Sequence, residues 1–197
     1  GLRKIEGGTA TLEGQPISAH PAQLFEAGVA HIPEDRIRMG TVPSMTVAEN
    51  LALREYAKAP LARGLMSDGA ALEANAQAKV KEYAVATPSI HTPSRLLSGG
   101  NIQKVILARE LAGSPKLILA VHPTYGLDVG ATEQVHKVLL DKTYEGAGVL
   151  LVSEDLDEIL QLADSVAVLY HGELRGPFAV GAVSREQLGL MMTGGSI

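Results

Sequence analysis

With 197 residues, 46% of them apolar, the chain is long enough to bury a sizeable core as one α/β domain or as one domain with a subdomain. Its formal net charge of −5, with no basic stripe, argues against a nucleic-acid surface, and the lack of cysteine excludes disulfides and thiolate metal sites. No apolar run approaches the ~18–20 residues that a membrane-crossing helix needs, and residues 1–8 hold no apolar signal region.

Residues 9–17 (TATLEGQPI) alternate weakly about Glu13-Gly14 and predict a short hairpin. Residues 21–27 predict a short helix with proline near its start, stopped by Gly28. Val29-Ala30-His31-Ile32 predicts a buried strand ended by Pro33, followed by a polar loop over 34–40. Thr46 and Glu49 form a capping box, so a helix begins there. Over 67–86, Leu72, Ala76, Val80 and Tyr83 recur at helical spacing, with Glu73, Lys79, Lys81 and Glu82 on the opposite, solvated face. Residues 87–95, with two prolines, predict an irregular connection.

Residues 97–128 (LSGGNIQKVILARELAGSPKLILAVHPTYGLD) carry the most chemistry. Ser98 is placed to cap a helix whose first turn holds Gly99 and Gly100, and neither glycine has a Cβ to keep an anion off the backbone. The free N–H groups and positive dipole end of such a helix suit phosphate oxygens. Ile102, Val105, Ala108 and Ala112 are spaced to bury one stripe, with Lys104 and Glu110 outside it and solvated. Leu117–Val121, apolar without alternation, predicts a strand buried on both faces of a parallel sheet. Ligands gather beyond the carboxyl ends of such strands, here residues 122–128.

Further on, a helix is predicted over 131–144 and a buried strand over 149–152, with Ser153, Glu154 and Asp155 at its carboxyl end. A helix containing Glu158, Ile159 and Leu162 follows, then a hairpin of 165–170 and 173–178 about His171-Gly172. A last helix spans 184–192, with a frayed end at 194–196. His20, His31, His91, His136 and His171 show no ligand spacing and read as surface or packed histidines.

The order of LSGGN, a helix ending Ala-Arg-Glu-Leu, a buried strand and Pro-Thr-x-Gly-Leu-Asp resembles the ABC ATPase family, as its signature loop, Walker B strand and D-loop. Asn101, where most of that family has glutamine, and Gly-Leu-Asp-Val-Gly-Ala at 126–131 resemble the branch importing simple sugars and nucleosides. More narrowly, the chain is similar to the second, C-terminal, of two fused nucleotide-binding halves. The resemblance implies an α/β, P-loop NTPase-like core with a mainly parallel sheet, truncated at its N-terminus, over 1–40 and 114–197. An α-helical subdomain bearing the signature is implied at 41–113. It implies that Ser98, Gly99, Gly100, Asn101 and Gln103 meet nucleotide held by a partner, and that Asp128 of the D-loop reaches across the same interface. Glu34, in Pro-Glu-Asp-Arg at 33–36, falls at the Q-loop position.

Splitting ATP needs a lysine-bearing phosphate loop, an acid for Mg²⁺, a base to orient water and a donor to the γ-phosphoryl group. The pattern G-x-x-x-x-G-K-[ST] does not occur, and residues 1–8 resemble the segment that follows that loop's helix, so the chain is expected to begin just downstream of it. By the resemblance, Val121 stands at the magnesium-linked carboxylate, His122 at the glutamate base and Glu154 at the γ-phosphate-sensing histidine. Valine cannot ligate a hard cation, and a carboxylate repels a triphosphate. The expectation is that these three positions form no catalytic or metal site, and that this chain alone holds no nucleotide. ATP and Mg²⁺ then belong to the assembled transporter. Implied partners are an N-terminal nucleotide-binding half, transmembrane permease subunits and, indirectly, a solute-binding protein, at the cytoplasmic face of the membrane; no nucleic acid is expected. The alternatives are a non-catalytic regulatory or scaffolding module, and a soluble non-transport ABC protein, which the acidic balance and the Pro-Glu-Asp-Arg loop disfavour. Without a phosphate-loop strand, apolar edges beside 117–121 and 149–152 are expected to lie open, favouring a homodimer or strand exchange in isolation.

Overall fold

Side-chain caps start six of the seven α-helices among the described residues. Thr46 and Ser184 build capping boxes with Glu49 and Gln187, and Asp68, Ser98, Asp128 and Asp155 each accept a first-turn N–H. The computed structural model describes residues 2–3, 5–17, 20–63 and 66–195, so the readings that touch Gly1, Lys4 and Ser196 lie outside the described residues. In chain order these hold β1 (Thr11–Leu12), β2 (Gln15–Pro16), α1 (Pro21–Glu26), β3 (Val29–Ile32), α2 (Val47–Ala52), β4 (Ala62–Arg63), β5 (Met66–Ser67) and α3 (Gly69–Glu82). Then come α4 (Gly99–Glu110), β6 (Leu117–Val121), α5 (Val129–Tyr144), β7 (Gly148–Val152), α6 (Leu156–Leu162), β8 (Ser165–Tyr170), β9 (Glu173–Ala179) and α7 (Arg185–Met192). Two units emerge from the packing, residues 1–150 and 151–197.

In the first unit, β3 pairs with β6 in parallel, Val29 opposite Leu117 and Ile32 opposite Ala120, in a sheet ordered β3-β6-β7. The predicted hairpin forms as β1-β2; a second, β4-β5, has no counterpart in the sequence reading. Against the sheet lies α4, packed also on α2, which itself packs on α3. The core of this helical layer is Val47, Ala48, Leu51, Ala76, Val85, Val105 and Ala108, joined by Leu72, Val80 and Tyr83 as the spacing of α3 predicts. Asn50, fully buried, accepts from the Val42 N–H at 2.8 Å and donates to the carbonyls of Val42, Met45 and Thr46 and to Ser94 Oγ, fixing the 42–46 loop from inside. The second unit has its own core of Val166, Val168, Val183, Leu188 and Met191, with the β8-β9 hairpin under α7.

Five expectations need correction. Lys79 is not solvated: it is 6% exposed and its Nζ meets Glu55 Oε2 at 2.8 Å, its stem covering apolar surface. α4 buries nearly its whole circumference instead of one stripe, because helices cover one side and the sheet another; it ends at Glu110, and Ala112 is exposed. In β6 only Ile118 and Ala120 are fully buried, and both of its hydrogen-bonding edges are taken, by β3 and β7. β7, like β3, is an edge strand of this sheet, with Leu150 57% and Val152 47% exposed, so the predicted buried strand is a border.

Glu110 is likewise buried, not solvated. Its Oε2 accepts from the His31 N–H at 3.2 Å and lies 2.6 Å from Arg54 Nη1, while its Oε1 accepts from Arg109 Nε at 2.9 Å. Arg109 Nη2 continues to the Gly40 carbonyl at 2.7 Å, and the Arg54 guanidinium stacks over Phe25 at 4.3 Å. A carboxylate this deep is tolerable only with such partners. Burial holds the His31 imidazole below its ordinary value of 6.5; Glu110 opposes the shift and Arg54 adds to it. Unfolding therefore takes up a proton as pH falls below 6.5, and stability declines until the folded-state value is passed. Replacing His31 with glutamine is expected to flatten this part of the decline, so that urea midpoints at pH 7 and pH 5 differ less than in the parent chain.

Candidate functional site

The outward-facing feature of the helical layer is the first turn of α4. Ser98 has extended backbone, and its Oγ accepts from the Asn101 N–H at 3.4 Å and from Asn101 Nδ2 at 2.9 Å. Asn101 Oδ1 accepts in turn from the Ala86 N–H at 2.7 Å, which ties the turn to the segment following α3. Ser98 and Gly99 are exposed and Gly100 half-buried, although the rest of the helix is inside. A Cβ at Gly99 would lie 3.3 Å from the mobile end of Arg36, Nη1, and one at Gly100 would make ordinary contact with Ala131 Cβ at 3.4 Å, so bare backbone here leaves room for a ligand. The turn thus offers backbone donors, a hydroxyl and a positive dipole end, which is the chemistry of an anion seat.

Beside it lies the 122–128 turn. His122 takes a left-handed backbone, φ 44°, where β6 ends; its carbonyl accepts from the Tyr125 N–H at 3.1 Å, and Thr124 accepts from the Leu127 N–H at 3.0 Å. Asp128 caps α5 through the Ala131 N–H at 2.9 Å and is exposed. Gln103, 2% exposed, donates its Nε2 to the Pro123 carbonyl at 2.7 Å, so this side chain works inside the protein, holding the turn against α4. Arg36, missed at first, bridges the two turns: Nη1 reaches the Gly99 carbonyl at 3.4 Å and Nη2 the Tyr125 carbonyl. The signal for it was present in Pro-Glu-Asp-Arg, where Asp35 rather than Glu34 shapes the loop by accepting from the Ile37 and Arg38 N–H groups at 3.0 and 2.9 Å. Those backbone donors hold the Asp35 carboxyl below the usual carboxylate range. Glu34 is exposed.

Val121 and His122 are half-buried at the carboxyl end of β6, and Val121 offers no ligand atom. Glu154 is exposed in the second unit. Among the described residues no group of three or more His, Asp or Glu side chains could hold a metal ion, and no helix is long and apolar enough to cross a membrane. A cleft of about 410 Å³ opens next to Gly100, lined in part by Tyr83, Lys104 and Lys142. Burial pushes the Tyr83 phenol up to about 12, Lys104 Nζ donates to the Ala84 carbonyl at 3.1 Å, and Lys142 pairs with Glu145 at 2.7 Å.

Comparison with known proteins gives the family. The model of the ABC transporter family matches residues 1–125. The chain belongs to the ABC transporter family. It is 39% identical to the nucleoside import ATP-binding protein NupA of Lactococcus lactis over its whole length, and 41% identical to the guanosine import ATP-binding protein NupO of Bacillus subtilis over 98% of it. The glucose import ATP-binding protein TsgD13 of Haloferax volcanii is 40% identical over 99%. The chain spans about two-fifths of the length of these ABC relatives, 39%, 38% and 36%. Among solved structures, the dimeric bacterial ABC cassette MJ0796 covers 91% of the chain with a TM-score of 0.73 at 23% identity, the chain spanning 76% of it. The ADP conformation of the cassette MJ1267 covers 98% with a TM-score of 0.68 at 22% identity, again over 76% of that chain. These likenesses show the fold, the α/β P-loop NTPase fold of ABC cassettes.

In this ABC chain one buried amide, beside the exposed Arg36, ties the 122–128 turn to α4. Gln103→Leu, similar in volume, leaves the Pro123 carbonyl without its donor. The expected cost is about 1–3 kcal/mol in urea unfolding, with faster amide exchange at Tyr125 and Leu127.

Proposed function

We propose that this chain is the second, C-terminal nucleotide-binding half of the ATPase subunit of an ATP-driven sugar or nucleoside importer. In that role it completes its partner's ATP site with the 98–101 turn and Asp128, while its own site is degenerate. The observation that carries the reading is the contrast across α4 and β6. The exposed, Ser98-capped glycine turn is built to meet an anion, whereas Val121 stands where a hard cation would need a carboxylate. Its relatives' names, nucleoside, guanosine and glucose import ATP-binding proteins, support the transport class.

On this reading the partners are an N-terminal nucleotide-binding half, permease subunits reached through a helical subdomain at 41–113, and indirectly a solute-binding protein. The location is the cytoplasmic face of the membrane. ATP would be held by the partner half, with triphosphate oxygens at the Ser98 hydroxyl and the N–H groups of Gly99 and Gly100. Mg²⁺ supplies charge neutralisation at that other site; Val121, His122 and Glu154 would hold no cation here, and Glu34 lies at the loop leading to the helical subdomain.

In the full-length ATPase subunit assembled with its permease, Ser98→Ala is expected to lower ATP turnover about 10- to 100-fold, the range for a hydrogen bond to a charged acceptor. Turnover equal to the parent's overturns the proposal. The isolated 197-residue chain is expected to self-associate through the uncharged β7 edge, seen by light scattering and reduced by Leu150→Lys. A monomer at all concentrations contradicts that.

A further inference from the structure

We infer that Asn101 is a positioning residue: its amide fixes the Ser98 hydroxyl as a hydrogen-bond donor pointing out of the turn. The inference rests on the reading of the 98–101 turn as a nucleotide seat and names what arms it. The starting point is the Ala86 N–H, which is a donor and nothing else. It lies 2.7 Å from one end of the Asn101 side chain, so that end must be the carbonyl oxygen; the amide turned the other way would set two donors face to face. The NH₂ end of Asn101 is then directed at Ser98 Oγ, 2.9 Å away, and the Asn101 backbone N–H approaches the same oxygen at 3.4 Å. An NH₂ group can only donate, so Ser98 Oγ must accept from both. A hydroxyl has two acceptor lone pairs and one proton. With both lone pairs engaged inside the turn, the proton is left for an acceptor outside, and Ser98 is exposed.

The polarity is therefore set in series, from the Ala86 N–H through the Asn101 carboxamide to the Ser98 O–H. Each link is oriented by the one before it. A phosphate oxygen carries lone pairs only, so it needs a hydroxyl already turned to donate. A serine free to rotate spends part of its time donating within its own turn. Asn101 removes that option while the oxygen of its amide accepts from Ala86 and its NH₂ donates to Ser98. Side-chain length matters for the same reason. Asparagine spans from the helix's first turn to both Ala86 and Ser98, with its backbone N–H still serving the cap.

The test is a double-mutant cycle on Ser98→Ala and Asn101→Ala in the full-length ATPase subunit with its permease, reading kcat, KM for ATP and thermal stability. Asn101→Ala alone is expected to lower ATP turnover about three- to tenfold, the range of one hydrogen bond. In the Ser98→Ala background it is expected to change turnover no further, since there is no hydroxyl left to orient. Hydrogen exchange gives a readout independent of activity. Asn101→Ala should expose the Ala86 amide to faster exchange, whereas Ser98→Ala should leave it protected, because the Ala86 link does not pass through Ser98. Additive losses, a silent Asn101→Ala beside an impaired Ser98→Ala, or unchanged Ala86 exchange in Asn101→Ala overturns the inference alone. A silent Ser98→Ala overturns the nucleotide reading and takes the inference with it.

Discussion

The buried Glu110 carboxylate is the constraint on which the first unit depends. It sits at the last residue of α4 and is met by the His31 N–H of β3, by Arg54 and by Arg109, whose guanidinium goes on to the Gly40 carbonyl. One side chain thereby binds the inner end of α4 to a strand, to the segment after α2 and to the end of the 34–40 loop. Gly40 belongs to the same junction: a Cβ there would come within 2.4 Å of Ile106 Cδ1, so loop and helix touch backbone to side chain. Removing one partner from such a cluster strands a charge where water cannot reach it, which is why the group acts as a unit. With its inner end immobilised, α4 presents its outer turn from a rigid base.

Much of this was legible in the residues. The caps at Thr46 and Ser98, the apolar face of α3, the strands at β3 and β6 and the terminal hairpin follow from local rules of spacing and side-chain chemistry. Burial of charge was not legible, because periodicity places Lys79 and Glu110 away from the apolar stripe and cannot show that another element closes over them. The failure at β7 has a related cause: an apolar run such as GVLLV states a preference for cover, and only the order of strands in the sheet says whether cover is supplied. The role of Arg36 was not legible either, because it lies in two backbone carbonyls, of Gly99 and Tyr125, far apart in sequence.

The candidate site joins these levels. Its residue types were readable as glycine, serine and a cap, but their division of labour was not. Gln103 turns inward to hold the neighbouring turn at Pro123, and Asn101 turns sideways to Ala86 and Ser98. What faces outward is a small hydroxyl and bare backbone. A surface of this kind gains specificity from orientation rather than from the number of groups it presents, since each donor is fixed before any ligand arrives.

The left-handed backbone at His122 has a consequence for anyone seeking to re-engineer this cassette. Histidine, asparagine and aspartate enter that region more readily than β-branched or bulky side chains do, so the φ of 44° suits the residue found there. A β-branched residue in place of His122 would be strained at that φ, so the strand end restricts which side chains can follow Val121. Substitution there is then a problem of folding as much as of chemistry, because the shape of the peptide selects among side chains before any ligand does.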